Sequence, residues 1–419
     1  MCTRVHVPVH IDVHVHTQVI MQETRSRSRL DTRTALIVLI LATLLYHSCF
    51  ISKPNEFSLG LELELVQVLF RHGERAPLAK EMYPNDPHNG SSYEPWGVAQ
   101  LTNEGKMREY SIGKMLRQRY NNFLGDLYHP KDVYARSTDI DRTKMSLQLV
   151  LAGLYPPSDK QNWNPDLPWL AIPTHYAPER VDNLLRPQAC PMYEEALEEV
   201  RQLKEIRDKS EVYTDVLKYL TNKTGMNVTT LTAAYEIFNL LAAQKAMNLT
   251  LPEWCTEKIY KKMEDIVFLE YEIRSYTATL KRLTGGMLIR QFIENMNINE
   301  KRKNPRKIYL YSGHEINIAA FTRAHDIHIP KLPSYGSTII VEKLRNTEGK
   351  LFIKMLLWTG VSEQLITLKL KNCDEICPID TYLDIVKDVI PSDDDINCYW
   401  DTISKEELKN LFVEKIYLN

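Results

Sequence analysis

Leu65-Val-Gln-Val-Leu-Phe70 runs without a break into Arg71-His72-Gly73-Glu74-Arg75. A short, mostly apolar run of this kind suits a strand covered on both faces, as in a parallel sheet. The same grammar recurs along the chain. Thr102 to Tyr120 carries Met107, Ile112, Met115 and Leu116 at helical spacing, with Thr102 as N-cap. Asp132-Val-Tyr-Ala-Arg136 is a second strand candidate. It leads into Ser137-Thr-Asp139, residues that cap a helix expected over 140–152. Lys307-Ile-Tyr-Leu-Tyr311 is a third, and Ser312-Gly-His-Glu315 opens a helix over 316–325. Thr338–Leu344 and Leu351–Trp358 read as a hairpin around Asn346-Thr-Glu-Gly349. Strands alternating with helices predict an α/β fold with a mixed, mostly parallel sheet flanked by helices.

Between the strand-bearing segments the pattern changes. Tyr193–Lys209, Thr229–Met247 and Pro252–Leu283 are long charged-apolar stretches with little β-branched alternation. They predict an inserted, smaller all-helical domain over 186–299, which divides the α/β domain into 53–185 and 300–419. Gly285-Gly286 is expected to break the helices before Met287–Asn295, and Asp393-Asp-Asp395 to be a solvated loop. No internal repeat and no long linker is evident.

The chain has 419 residues, 44% hydrophobic and 25% charged, with only 15 Gly and 21 Pro. Such a composition is globular and excludes disordered, collagenous and small disulfide-knot proteins. Lys and Arg total 52 against 54 Asp and Glu, a net charge of −2. A general binder of nucleic acid would carry a basic excess, so nucleic acid is not an expected partner.

Ala35–Tyr46 is an uninterrupted run of twelve residues with almost no polar side chains, preceded by Arg25, Arg27, Arg29 and Arg33. A positive flank before a short apolar core is the pattern of a secretory signal, here over 35–52. The run is short for a spanning helix, but no A-x-A cleavage site follows, so an uncleaved membrane anchor is the alternative. Either way the rest of the chain lies outside the cytosol, secreted or in the lysosomal lumen. Residues 1–34 read as a disordered extension. Its His6, His10, His14 and His16 alternate with valine and could be taken for a metal tract, although a tail ahead of the signal is the simpler reading. Asn89, Asn222, Asn227 and Asn248 head N-x-[ST] sequons, which beside a signal indicate a glycoprotein. Without 1–52 the chain has 47 basic and 51 acidic residues, a net charge of −4. The seven cysteines are 2, 49, 190, 255, 373, 377 and 398. In a secreted chain the five beyond the signal read as disulfide formers rather than zinc ligands, with one left over.

Three strand candidates place unusual side chains at their carboxyl ends. The first supplies Arg71, His72 and Arg75, the second Arg136, the third His314 and Glu315. Ligands of open α/β sheets bind there. A strand-end Arg usually serves the surface, and a lone His is usually structural. Three arginines and two histidines converging would instead repel one another unless an anion lay among them. The guanidinium fork matches phosphate oxygens, and the helix starting near Glu315 adds N–H donors. Asp139 could hold Arg136 or cap the next helix, the latter being preferred.

Leu69-Phe-Arg-His-Gly-Glu-Arg-Ala-Pro77 resembles the R-H-G-x-R-x-P signature of the histidine acid phosphatases. Gln100-Leu-Thr-x-x-Gly105, Arg136-Ser-Thr-Asp-x-Asp-Arg-Thr143 and Ser312-Gly-His-Glu315 resemble that family's further blocks in the same order. The resemblance spans roughly residues 62 to 400 and is nearest the prostatic and insect-venom type. It implies a phosphoglycerate mutase-like fold and a secreted acid phosphatase that hydrolyses phosphate monoesters and needs no metal or other cofactor. It also implies His72 as nucleophile, forming a phosphohistidine, with Arg71, Arg75, Arg136 and His314 holding the phosphoryl oxygens. Glu315 would be the proton donor, although the family often has Asp there. Nearby arginines would lower its pKa and desolvation would raise it. The resemblance further implies disulfides Cys373–Cys377 and Cys190–Cys398. That leaves Cys255 either buried and reduced or linking two chains in a homodimer. A dedicated inositol-phosphate phosphatase would need more basic residues at the mouth, where Lys80 and Lys331 are isolated. A narrow lysophospholipid phosphatase, a phosphomutase and a non-catalytic, allergen-like binding relative are the rivals.

Overall fold

The computed structural model describes residues 60–303, 305–360 and 365–396. The proposed signal, the N-terminal extension and Cys398 lie outside them. Among the described residues no helix is long and apolar enough to cross a membrane.

The opening strand candidate forms β1 (Leu61–Arg71), and the other two form β2 (Val133–Ser137) and β4 (Ile308–Gly313). With β3 (His175–Tyr176), β5 (Thr338–Asn346), β6 (Leu351–Trp358) and β7 (Leu365–Leu368) they make one mixed sheet in the order β3-β2-β4-β1-β5-β6-β7. Strands β3, β2, β4 and β1 are mutually parallel, whereas β5, β6 and β7 continue antiparallel. Pairing sets Arg71 beside Gly313 and Arg136 beside Tyr311. The carboxyl ends of β1, β2 and β4 therefore share one rim of the sheet.

Alternate residues of β1 serve two cores, as the period-two pleat requires. Val66, Val68 and Phe70 pack with Ile112 and Leu116 of α1 (Asn103–Leu124) and with Leu147 and Val150 of α2 (Asp141–Leu154). Leu65 and Leu69 face the other way, into a core that runs on through Leu197, Leu240, Ile266 and Leu288 of the inserted segment. The helices of that segment thus share the apolar core of one sheet face. Gln67, a polar residue in the middle of the strand, is buried there, donating to the Phe292 carbonyl at 3.0 Å and accepting from Asn295 at 2.7 Å.

Thr102 caps α1 by accepting from the Gly105 N–H at 3.2 Å. The α2 cap differs from expectation. Ile140 occupies the N-cap without a side-chain bond, while Asp139 pairs with Lys144. Gly285-Gly286 does not break the helices either. Residues Arg282–Gly286 form a π-helical turn leading directly into a helix over Met287–Lys301. A Cβ on Gly285 would come within 2.2 Å of the Ala320 carbonyl oxygen, so the glycine serves close backbone approach rather than termination. Asp393-Asp-Asp395, expected as a solvated loop, falls in a short helix over Asp393–Ile396 with Asp393 and Asp394 exposed and Asp395 and Ile396 half-buried.

Cys373 and Cys377 form a disulfide. Cys190 is also disulfide-bonded. Cys255 is free and half-buried, its thiol pushed up to about 11 by burial, which leaves it protonated and unreactive at neutral pH. Asn89, Asn222, Asn227 and Asn248 are all exposed.

Candidate active site

The last residue of β1 is Arg71, and the chain beyond it is held from both sides. The His72 N–H donates to the Gly313 carbonyl at the end of β4, and the Gly336 N–H donates to the His72 carbonyl. Gly73 then crosses α1 so closely that a Cβ would lie 2.4 Å from the Gly105 carbonyl oxygen. Only glycine fits, and the crossing pins the imidazole of His72 over the sheet rim.

His72 is 1% exposed. Its Nδ1 lies 2.8 Å from the Gly73 carbonyl, which can only accept, so Nδ1 carries the proton. Its Nε2 lies 3.1 Å from Nε of Arg142, which can only donate, so Nε2 presents a lone pair. The ring is thus a neutral imidazole of defined tautomer. Burial, together with the charges of Arg142 and Arg71, holds its pKa well below the usual histidine range.

Three guanidinium groups surround it, each held differently. Arg71 lies 3.3 Å from a Glu315 oxygen, donates to the Pro333 carbonyl at 2.6 Å and stacks 4.1 Å from the Tyr335 ring centroid. Arg75 is gripped by both oxygens of the buried Glu81, at 2.9 and 2.6 Å. Arg142 has no carboxylate partner among the described residues, and its pKa is pushed down to about 10 by burial and by Arg75. It remains a cation at any working pH, and an anion would relieve its isolation.

His314 caps the helix Glu315–Ala324 at the end of β4. Its ring centroid is 5.4 Å from that of His72, and its Nε2 is 3.2 Å from the Thr138 hydroxyl. Burial and Arg142 push its pKa well down, against the opposing pull of Glu315. The Glu315 carboxyl is buried, which alone would raise its pKa. Arg71, His314 and the Tyr235 hydroxyl outweigh that and hold it well below the usual carboxylate range. In the contest of arginine against desolvation left open by the sequence, the cations win.

The structure therefore brings Arg71, His72, Arg75, His314 and Glu315 together. It turns Arg136 elsewhere. That side chain forms a buried pair with Asp182 and lies beside the Tyr134 and Tyr311 rings rather than at His72. The arginine beside His72 is thus Arg142, not the Arg136 expected there from the sequence. Arg142 belongs to the first turn of α2, directly after a strand of the parallel half, where anions are bound in such sheets. That position was the signal the sequence offered. Glu81 and Tyr335, which lie outside the quoted motifs, and Thr138, which lies within one, were missed as well; they hold Arg75, Arg71 and His314. Among the described residues no cluster of His, Cys, Asp or Glu is arranged to hold a metal ion.

The chain resembles a known group of proteins. The profile of the histidine phosphatase superfamily (branch 2) matches residues 62–357. The venom acid phosphatase Acph-1 of Apis mellifera is 41% identical over 85% of this chain and 92% of its own length. The prostatic acid phosphatase of Bos taurus is 34% identical over 80% of this chain and 88% of its own. The lysosomal acid phosphatase of Homo sapiens is 32% identical over 79% of each. Among solved structures, a Klebsiella phytase superposes with a TM-score of 0.61 at 14% identity, covering 79% of this chain and 98% of that one, a likeness of fold alone. With its signature histidine at the carboxyl end of β1 and its relatives acid phosphatases over most of its length, the chain belongs to branch 2 of the histidine phosphatase superfamily and is a phosphatase.

Proposed function

We propose that the protein is a secreted, broad-specificity acid phosphatase in which His72 Nε2 attacks the phosphorus of a phosphate monoester. The ester P–O bond breaks, the departing oxygen takes, by way of Glu315, the proton that the substrate monoanion brought in, and a phosphohistidine remains. Glu315, again a carboxylate, accepts a proton from water, whose oxygen attacks the phosphorus. The P–N bond breaks and inorganic phosphate leaves with that proton, which returns Glu315 to the carboxylate.

The observation that carries this reading is the defined tautomer of His72, with Nδ1–H committed to Gly73 and the Nε2 lone pair turned toward Arg142. A neutral imidazole held in line gives an oriented attack. Arg71, Arg75, Arg142 and His314 supply fixed donors where charge spreads over the equatorial oxygens. Glu315 is a carboxylate at the working pH, so the acid optimum follows from the protonation of the substrate. A monoester retains its second proton below about pH 6, and its monoanion brings into the site the proton that Glu315 passes on. Lys80 at the rim is paired with Glu236 at 2.8 Å, so it is not poised to hold a second phosphate, which favours simple monoesters over polyphosphorylated ones. Secretion is supported by the apolar run at 35–46, the exposed sequons and the disulfides.

Phosphate release from p-nitrophenyl phosphate, followed from about pH 4 to about pH 8 with EDTA present, tests the reaction. Activity greatest on the acid side, unaffected by EDTA and lost in His72→Ala is the expected result. Wild-type protein no faster than His72→Ala at every pH would overturn it.

A further inference from the structure

Glu315 is held from two directions, and only one of them belongs to the phosphoryl pocket. Its Oε2 faces Arg71. Its Oε1 accepts a 2.6 Å hydrogen bond from the hydroxyl of Tyr235, which comes from α6 (Leu231–Ala246, counting α3 to α5 as Pro191–Gln202, Lys204–Glu211 and Thr214–Thr224) in the inserted helical segment.

Tyr235 is itself fixed. Its ring meets that of Tyr271 edge to face at 6.2 Å, and the Arg274 guanidinium sits 5.5 Å from its centroid. Arg274 pairs with the fully buried Glu270 at 3.1 Å, and Arg201 grips the same carboxylate at 3.0 Å with two nitrogens. A continuous set of contacts thus runs from Arg201 through Glu270, Arg274 and Tyr235 to Glu315. The remaining charged or titratable groups felt by Glu315 among the described residues are His314 on its own element, Arg75 and Arg142 at the phosphoryl pocket, Tyr335 before β5 and Tyr271 of the inserted segment. None of them is hydrogen-bonded to Oε1 among the described contacts. Burial and the Glu315 charge push the phenol of Tyr235 well up, so it donates at any working pH.

We propose that Tyr235 is a positioning residue for the proton donor: its hydroxyl holds Oε1 of Glu315 so that Oε2, on the phosphoryl side, is the oxygen that carries the proton to the leaving group. The extra methylene of Glu over Asp gives the carboxyl its reach to a hydroxyl on the inserted segment, which thereby acquires a part in the chemistry. Without the hydrogen bond the carboxyl is free to turn, and a misplaced proton donor matters most where the departing oxygen is a poor leaving group.

This inference rests on the proposed acid role of Glu315, and the test separates the two. The measured quantity is kcat/KM for glycerol 2-phosphate, which leaves as an alkoxide, against that for p-nitrophenyl phosphate, whose phenolate departs with little protonic help. Tyr235→Phe should lower the alkyl ester value about ten-fold and leave the aryl value within about two-fold. The retained aryl activity also reports that the variant is folded. In a Glu315→Gln background, Tyr235→Phe should cause no further loss of alkyl-over-aryl selectivity. Equal loss on both substrates, or no loss on either, overturns the Tyr235 proposal. If Glu315→Gln itself leaves the alkyl-over-aryl ratio unchanged, the acid role of Glu315 fails, and the positioning role of Tyr235 falls with it.

Discussion

Nε of Arg142 lies 3.1 Å from Nε2 of His72, joining the first turn of a helix to the end of a strand seventy residues earlier. The contact has two consequences. It assigns the tautomer of His72, and it leaves the cation of Arg142 with a lone pair rather than a carboxylate for a partner. Arg71 and Arg75 are each anchored by an acid, whereas Arg142 has none among the described residues, which in the proposed reaction leaves its guanidinium for a phosphoryl oxygen.

Arg142→Ala should therefore lower kcat by about a hundred- to a thousand-fold, the scale of removing one preorganised donor from a transition state. Inhibition by inorganic phosphate should weaken in parallel. Steady-state kinetics with phosphate as competitive inhibitor measure both. A kcat within a few-fold of wild type would remove Arg142 from the phosphoryl site.

Arg136→Ala should behave in the opposite way. Its partner Asp182 is fully buried, and one of that carboxylate's oxygens already lacks a hydrogen bond. Breaking a buried pair from one side typically costs about 3–5 kcal/mol, so denaturant unfolding should show a clear loss of stability. The activity of the folded fraction should stay within a few-fold. Arg136→Ala combined with Asp182→Asn should recover part of the stability, since the orphaned charge is then gone. A large loss of kcat with unchanged stability would return Arg136 to the chemistry.

These two arginines show what was legible in the sequence. The strand leading into Arg71-His72-Gly73, the helix capped by Thr102 and the hairpin from Thr338 to Trp358 were all readable, because a local pattern decides each of them. Which arginine of Arg136-Ser-Thr-Asp-x-Asp-Arg142 enters the pocket was not. That depends on the side of β2 to which residue 136 points and on Asp182, forty-six residues away, which receives it. Glu81 and Tyr235 stayed hidden for the same reason. A carboxylate or a phenol on a helix carries no local mark of the partner that folding will bring to it. Gly285-Gly286 was misread because a glycine pair looks alike whether it ends a helix or lets two backbones cross.

Three buried histidines set one arm of the pH dependence of stability. His72 and His314 are held well below the usual range by burial and neighbouring arginines, and burial alone takes His325 to about 4. Each is neutral in the folded chain and titrates near 6.5 when unfolded. As pH falls below about 6.5 the unfolded state binds protons that the folded state refuses, so stability declines by up to about 1.4 kcal/mol per pH unit for each group until the folded pKa is reached. Above about 6.5 the contribution is fully present. His325→Phe should flatten the acid-side slope of melting temperature against pH while leaving the kinetics unchanged, because His325 bonds only the Phe321 carbonyl and the Tyr382 hydroxyl. An unaltered slope would show that His325 takes up its proton in the fold as readily as in the unfolded chain.

Glu109 sets the opposing arm. It sits on the buried face of α1, both carboxyl oxygens are enclosed without a hydrogen-bond partner, and burial together with Glu74 pushes its pKa well up, against Arg108 and Arg71. Arg108 is already bonded to Glu74 and to the Gly360 carbonyl, so it leaves Glu109 unpaired. A carboxyl whose folded pKa exceeds its unfolded value stabilises the protonated fold. Its contribution is complete below about pH 4.3 and is lost as pH rises from there to the raised folded pKa. Glu109→Gln removes the titration and keeps the shape. The variant should match wild type near pH 4 and exceed it in melting temperature at neutral pH, with a slope over that interval smaller by up to about 1.4 kcal/mol per pH unit. Parallel curves for the two proteins would mean that Glu109 ionises in the fold as freely as in the unfolded chain. The buried carboxyl would then have no part in suiting this phosphatase to acid.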